Sequence, residues 1–523
     1  MVSSVYNECI DMRLLRYFSL FFLILLFSSS SEKLGIQPKV ITELFFPDPD
    51  IDIPTPGFLK KKGYTNFMEL RAFLKEKVYQ YPDQMSFVNI GKSQDGKDIL
   101  AVKIHGVSPV NNPIRVWLQG GLHGDEMGSV EGMLYLIYNL LNSPKLLNEF
   151  EIMIIPLANP DGYSKQNRYS KNGMDLNRDH TMISAPETLC LKRAFSLFDP
   201  EMALDFHEYR PFRRDFVNLG KFGVTSMFDV MFLYTSNPNV PAALRRLIHD
   251  SFVRPCHSDL DSLGYTHHTY FSTEKHLGSL RLREGSSSAR SSSTSYALSN
   301  CVSALIEIRG VGIGKTSFKR RVACVSEVGL SFLRSAIESK KEMRKVLNHS
   351  SEQHEIIYAT DYLIEKRDMN FIDLHEKSIR SFELEVRDLS QPRNSLRRER
   401  PEAYLLSEEL FREISPKLEA LGIAHELIEF KSLDKNRVYE YIITKYLQNG
   451  TPEFRVRRQN VKSKLEPYEN ENLKKVWYIS TSQKHGSHLF ELFEPEAKNS
   501  YVAWDIIHTE LNQKLKYYRY HAI

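Results

Sequence analysis

Cysteine is scarce. The 523 residues contain five, and none of their spacings matches a zinc finger or ribbon, which excludes such a module. Cys9 lies in a segment that export would remove. Cys190, Cys256, Cys301 and Cys324 then remain, to pair in one of three complete ways or to stay as buried free thiols; sequence does not choose. Net charge is slight as well. Lysine plus arginine number 69 against 65 acidic residues, a formal charge of +4, too small and too evenly spread to imply a nucleic-acid partner. Basic clusters such as "FKRR" and "RRER" read as solvated faces. The N-terminal apolar run is also short: Tyr17 to Phe27 is eleven residues, against the ~20 of a membrane-spanning helix.

Two arginines precede that run and four serines follow it, the anatomy of a secretory signal peptide. Residues 1–31 are therefore expected to leave, with Met12 as the start of the signal. A secreted or periplasmic protein with no stable membrane insertion would remain. No cysteine follows the run, which argues against a lipid-modified N-terminus.

The remaining length exceeds what one hydrophobic core usually organises, so two domains are expected, 38–350 and 351–523. From about Ile41 to Ser350 apolar strand-like runs alternate with helix-like segments. "IRVWLQGG" reads as a buried strand, and "GSVEGMLYLIYNLLN" after it carries Val130, Met133, Leu134, Ile137, Leu140 and Leu141 at helical spacing. "EIMIIPLANPDG", "EMALDFHEY" and "SALIEIRG" are further apolar runs stopped by turn residues. Strands that are apolar on both faces, with helices between them, indicate an α/β domain around a covered sheet. After "EVGLSFLRSAIESKKEMRKVLN" the texture changes to shorter β-prone runs and charged connectors. A boundary near Ser351 and a smaller β-rich accessory domain follow from that change. The low-complexity piece "EGSSSARSSSTS", Glu284 to Ser295, is expected to be a flexible surface loop or a loop at the site mouth.

"WLQGGLHGDEMGS" ends an apolar strand, breaks it with glycines, and sets His123, Asp125 and Glu126 close together where strand gives way to helix. Ligand sites of open α/β sheets form at such places. Imidazole and carboxylate together suit zinc, and a catalytic zinc site needs a third protein ligand. "ALDFHEY" supplies His207 at another strand end. His267, His268, His485 and His488 are read as ordinary polar residues. The polar loop "NPDGYSKQNRYSKNGMDLNRDH" holds Arg168, Asp175, Asn177 and Arg178; an arginine near zinc stabilises a developing oxyanion, and a second grips a carboxylate in bidentate fashion. Glu307 sits inside a run that is apolar on both faces. Unpartnered burial there costs several kcal/mol, so it either reaches solvent at an edge or serves a polar site as general base.

Together these residues resemble the zinc metallocarboxypeptidase family, typified by pancreatic carboxypeptidase A. The resemblance lies in motif order over about Tyr64 to Gly314: "HGDE", "NPDG", an arginine, "DLNRD", a strand-end histidine, and a glutamate in a late strand. It implies a mixed β-sheet covered by helices on both faces, and one Zn2+ held by His123, Glu126 and His207. It further implies Glu307 as general base and Arg168 as the residue that polarises the scissile carbonyl. Asn177 and Arg178 would grip the terminal carboxylate of a peptide, and Asp175 would hydrogen-bond a zinc-bound histidine; Asp125 would shape the turn. The implied reaction is removal of one C-terminal residue from peptides or proteins. Tyr296 is the nearest match to the family's mobile-loop tyrosine, although 11 residues before Glu307 is a short separation. The distal stretches "RPEAYLLSEE" and "VWYISTSQKHGSHLFELFEPEAKNSYVAW" resemble the C-terminal region behind many secreted bacterial peptidases of this family. A related zinc amidase acting on cell-wall peptides or N-acyl amino acids is the alternative enzyme, and a catalytically silent peptide-binding protein the alternative outside enzymes. "RGVGIGKTS" fails the phosphate-loop pattern, because Arg309 stands where its first glycine must be.

Overall fold

The computed structural model describes residues 37–521, except 277, 350–352, 448–451, 454–455, 458–459 and 470–472. The expected signal peptide and most of the boundary at Ser351 lie outside the described residues. Among those described, no helix is long and apolar enough to cross a membrane.

Among the described residues, eleven strands precede residue 350: β1 (Met85–Lys92), β2 (Asp98–His105), β3 (Ile114–Gly120), β4 (Phe150–Ile155), β5 (Met202–Tyr209), β6 (Val224–Ser226), β7 (Val230–Tyr234), β8 (His267–Thr269), β9 (Phe271–His276), β10 (Ser279–Glu284) and β11 (Val302–Arg309). Eight of them form one sheet in the order β1-β2-β4-β3-β5-β11-β7-β8. It is a mixed sheet, with β4, β3, β5 and β11 parallel in its centre and antiparallel pairings on either side. The apolar runs on both strand faces have their reason here. In β3, Val116 and Leu118 join the cluster beneath the helices Met127–Leu141 and Phe318–Glu338, while Trp117 joins the opposite cluster with Phe195. Side chains alternate across a strand, so a sheet covered on both sides needs apolar residues at successive positions.

The same alternation sorts the chemistry. In β5, Met202, Leu204 and Phe206 belong to the first cluster, as do Val302, Ala304, Ile306 and Ile308 in β11. Asp205, His207 and Glu307 therefore share the opposite face.

Two long strands follow, β12 (Glu355–Asp373) and β13 (Ser378–Glu399), paired as a hairpin. The hairpin completes a second, five-stranded sheet in the order β6-β12-β13-β10-β9. Three of those strands precede Ser351 and two follow it, so the change in sequence texture is not a break in the sheet. A third, six-stranded sheet is built from later residues: Ala403–Leu406, Glu426–Glu429, Val438–Leu447, Asn460–Pro467, Lys475–Ser480 and Lys514–Tyr520. All its pairings are antiparallel, the β-rich accessory region that the sequence indicates. It sits against the first part of the chain through polar as well as apolar contacts. Ser196 Oγ donates to the Ala420 carbonyl (2.8 Å), and Asn237 and Asn239 donate to Glu491 Oε1 (2.8 and 2.9 Å).

Cys190, Cys256, Cys301 and Cys324 are all free, and the last three are buried. The free-thiol alternative therefore describes them.

Candidate metal centre and substrate cleft

β3 ends at Gly120, and Gly121 turns the chain with φ +62°, a left-handed conformation that a side chain would strain. Gly124 is needed for a different reason: a Cβ there would lie 2.1 Å from the Gly162 carbonyl carbon. The "HGDE" turn thus lies directly on the "NPDG" turn. Asn159 fastens the two, accepting from Gly162 N–H (2.9 Å) and donating to the Leu122 carbonyl (3.3 Å). This close seating points His123 and Glu126 toward the end of β5.

There His123 Nδ1 lies 2.7 Å from Glu126 Oε1, His207 Nδ1 lies 2.9 Å from Glu126 Oε2, and the two Nδ1 atoms are 3.0 Å apart. All three side chains are buried, and their ligand atoms lie within 4.8 Å of one another. Each imidazole is backed by its own carboxylate. His123 Nε2 faces Asp175 Oδ1 at 3.2 Å, and His207 Nε2 faces Asp205 Oδ2 at 2.9 Å. With the outer nitrogens donating to those carboxylates, the inner nitrogens present lone pairs to each other and to a third carboxylate. That is a donor set suited to a cation, and its composition, two imidazoles and one carboxylate, suits zinc.

Asp175 does more than face a histidine. Its Oδ1 also accepts from Asn177 N–H (2.9 Å), and its Oδ2 accepts from Arg168 Nε (3.1 Å) and Nη2 (2.9 Å). Arg168 is thereby clamped with Nη1 free to point inward, 3.2 Å from His123 Nδ1 and 3.9 Å from Glu126 Oε1.

Glu307 and His207 are directly paired neighbours on β11 and β5. Burial, the largest influence, pushes the Glu307 carboxyl up; the His207 charge opposes this, Glu126 reinforces it, and the result is about 7. A buried carboxylate at this position faces a polar site rather than a sheet edge.

Glu307, His123, Asp125, Arg168, Asn177 and Arg178 line one cleft of about 350 Å³. The Asn177 side-chain carbonyl accepts from Ser292 N–H (2.9 Å), and Arg178 Nη1 donates to the Asn177 carbonyl (2.7 Å). Asp125 contributes to the cleft wall, beyond the turn-shaping role implied for it.

The binding role expected for Tyr296 does not hold. Tyr296 is 0% exposed, stacks on Phe195 with ring centroids 4.2 Å apart, and donates its hydroxyl to Gln119 Oε1 (2.9 Å). It belongs to the core beneath the sheet, because it lies in the helix Ser292–Leu298 that packs there. The serine-rich stretch is likewise no flexible surface loop where it enters this helix. Ser292 to Ser295 are buried, and Ser292 Oγ donates to Asp205 Oδ2 (2.5 Å).

Asp205, Ser292 and the cleft residues Tyr270 and Arg283 escape a reading by motif. Only Asp205 carries a local signal: it stands two residues before His207 in a strand and so must share its face.

Comparison with known proteins agrees with this geometry. A model of the zinc carboxypeptidase family matches residues 70–195, the segment holding His123, Glu126, Arg168, Asp175, Asn177 and Arg178. Carboxypeptidase 2 of Trichophyton rubrum is 26% identical over 449 residues, covering 80% of this chain and 79% of that protein. Inactive metallocarboxypeptidase ECM14 of Paracoccidioides lutzii is 31% identical over 150 residues, 26% of this chain and 23% of that protein. Among solved structures, carboxypeptidase A from Helicoverpa armigera matches with a TM-score of 0.41 and 19% identity, covering 53% of this chain and 75% of that one. The chain is thus similar to zinc carboxypeptidases over residues 70–195 and to carboxypeptidase 2 over most of its length.

Proposed function

We propose that the protein removes single residues from the free C-termini of peptides, in a secreted or periplasmic setting, with one zinc ion held by His123, Glu126 and His207. The observation that carries this reading is the convergence of two carboxylate-backed imidazoles, one carboxylate and the in-register Glu307 on one side of a cleft. When bound, zinc supplies a Lewis acid and a water nucleophile that exists near neutral pH.

The chain's own residues do the rest. Glu307 is the group placed to take a proton at its carboxylate as attack begins and to return it to the leaving amine. Burial serves that role, since a carboxyl raised to about 7 both accepts and releases a proton near neutral pH. Arg168, clamped by Asp175, offers Nη1 to the oxygen on which negative charge develops. Because the clamp fixes its orientation beforehand, little reorganisation is required during the reaction. Asn177 and Arg178 hold the terminal carboxylate, which sets the scissile bond one residue from the end.

The test uses paired peptides, identical except that one carries a free C-terminus and the other a C-terminal amide, with products read by mass. Loss of one residue at a time from the free peptide only is expected. Internal cleavage, or equal trimming of the amide, would remove Arg178 from its role and favour an amidase.

A further inference from the structure

The cleft does not end at Arg178. A second recess of about 320 Å³ adjoins it and shares Arg178, Arg283 and Ser286 with it. Beside Arg178, its wall comes from three parts of the chain: the segment from Arg283 to Arg290, the hairpin residues Tyr362 and Arg387, and Lys498 and Trp504 of the accessory region. Arg178, Arg283, Arg290, Arg387 and Lys498 all line it, and no aspartate or glutamate does.

These cations differ in how they are engaged. Arg290 is fixed, donating from Nε to the Arg178 carbonyl (2.8 Å) with its guanidinium 3.7 Å from the Trp504 ring centroid. Among the described residues Arg387 has only a distant acid, Glu274 Oε2 at 3.9 Å. Neither Arg178 nor Arg283 forms an ion pair with a carboxylate among the described residues. Desolvation within the cleft and then the neighbouring Arg178 charge weigh against the Arg283 charge, Tyr270 and Glu274 offset part of this, and Arg387 adds to it. Arg178 and Arg283, held near Arg387 with no ion pair of their own among the described residues, repel one another, and an arriving anion relieves them.

We infer that this recess receives the side chain of the C-terminal residue and selects acidic residues, with Arg283 and Arg387 as the specificity-determining pair. The inference rests on the proposed function. Once Arg178 holds the terminal carboxylate, the side chain on the same α-carbon lies next to Arg283, at the mouth of the recess. A glutamate or aspartate there meets two guanidinium groups able to pair with it in a planar, two-point manner. An apolar side chain would strip water from those charges and give nothing back, and a lysine would be repelled.

The experiment uses the full-length, zinc-loaded protein and four peptides that differ only in the C-terminal residue: Glu, Gln, Leu or Lys. Release of glutamate with kcat/KM at least about tenfold above that of each other residue is expected, since one bidentate charge-assisted pairing is worth about that much. In Arg283→Gln, whose melting temperature serves as the folding control, the Glu-to-Gln ratio is expected to fall toward one. Release of leucine or lysine as fast as glutamate by the unmodified protein, or an unchanged ratio in Arg283→Gln, overturns the inference while leaving the carboxypeptidase reading intact. Release from none of the four peptides overturns both.

Discussion

Glu307 and His207 stand side by side on two parallel strands, in exact register and on the same face of the sheet. One residue of slippage would turn every side chain of one strand to the other face. The pairing of the proposed general base with a proposed ligand is therefore maintained by the central sheet itself. Glu307→Gln keeps the shape and removes the proton carrier. It is expected to lower kcat by a factor of about 10² to 10⁴ with bound zinc unchanged, as read by turnover alongside metal analysis. Activity within a few-fold of the unmodified protein would exclude Glu307 as the base.

Asp205 orients His207 from the side opposite Glu126. Asp205→Ala frees the ring to rotate and withdraws charge from it, so zinc affinity is expected to fall by a factor of about 10 to 100. Competition with a chelator measures this. The same substitution strands the Ser292 hydroxyl, so melting temperature is also expected to fall.

Metal affinity and pH are linked through the two imidazoles. Burial, the largest influence on each, opposes their charge. Glu126 and Asp175 outweigh it at His123, and Asp205 and Glu126 do so at His207, so both pKa values are raised in the metal-free fold. A raised pKa means that these protons stabilise the metal-free fold fully below the unfolded histidine value of about 6.5, and that this stabilisation is lost as pH climbs through the folded values. Zinc must displace the same protons. The stabilisation conferred by zinc is therefore expected to grow from about pH 6 to about pH 8, read as the gap between metal-free and metal-loaded melting temperatures. A gap that shrinks over this range would contradict the ligand assignment.

Tyr296 separates core from cleft. Tyr296→Phe removes only the hydroxyl bonded to Gln119, so a stability loss of about 1 kcal/mol is expected, with kcat/KM within about twofold, the scale of an untouched site. A large rise in KM would return the residue to the binding machinery.

The contrast between Tyr296 and His207 shows what the sequence makes legible. His207 ends a strand that is apolar on both faces, so its imidazole has no neutral role there, and the polar residue announces a site. Glu307 stands out for the same reason. Tyr296 is compatible with water and with a core alike, and its placement depends on a helix that serine-rich composition conceals. Serine is a poor helix former in isolation, but Ser292 and Ser295 find partners in Asp205 and Lys192, and those contacts come from distant segments. The second sheet is hidden for a related reason. Its hairpin pairs β13 with β10, strands about a hundred residues apart in sequence, and local pattern carries no record of such a partner. Arg283 reads as one more surface charge until Arg178 and Arg387 are seen beside it.

The most direct measurement is the position of the ion. Crystals of the zinc-loaded protein, with anomalous scattering recorded on both sides of the zinc absorption edge, should show one peak per chain bounded by His123 Nδ1, His207 Nδ1 and the Glu126 carboxylate, with Glu307 facing its open side. A zinc peak elsewhere, or none at this site in metal-replete protein, would contradict the account.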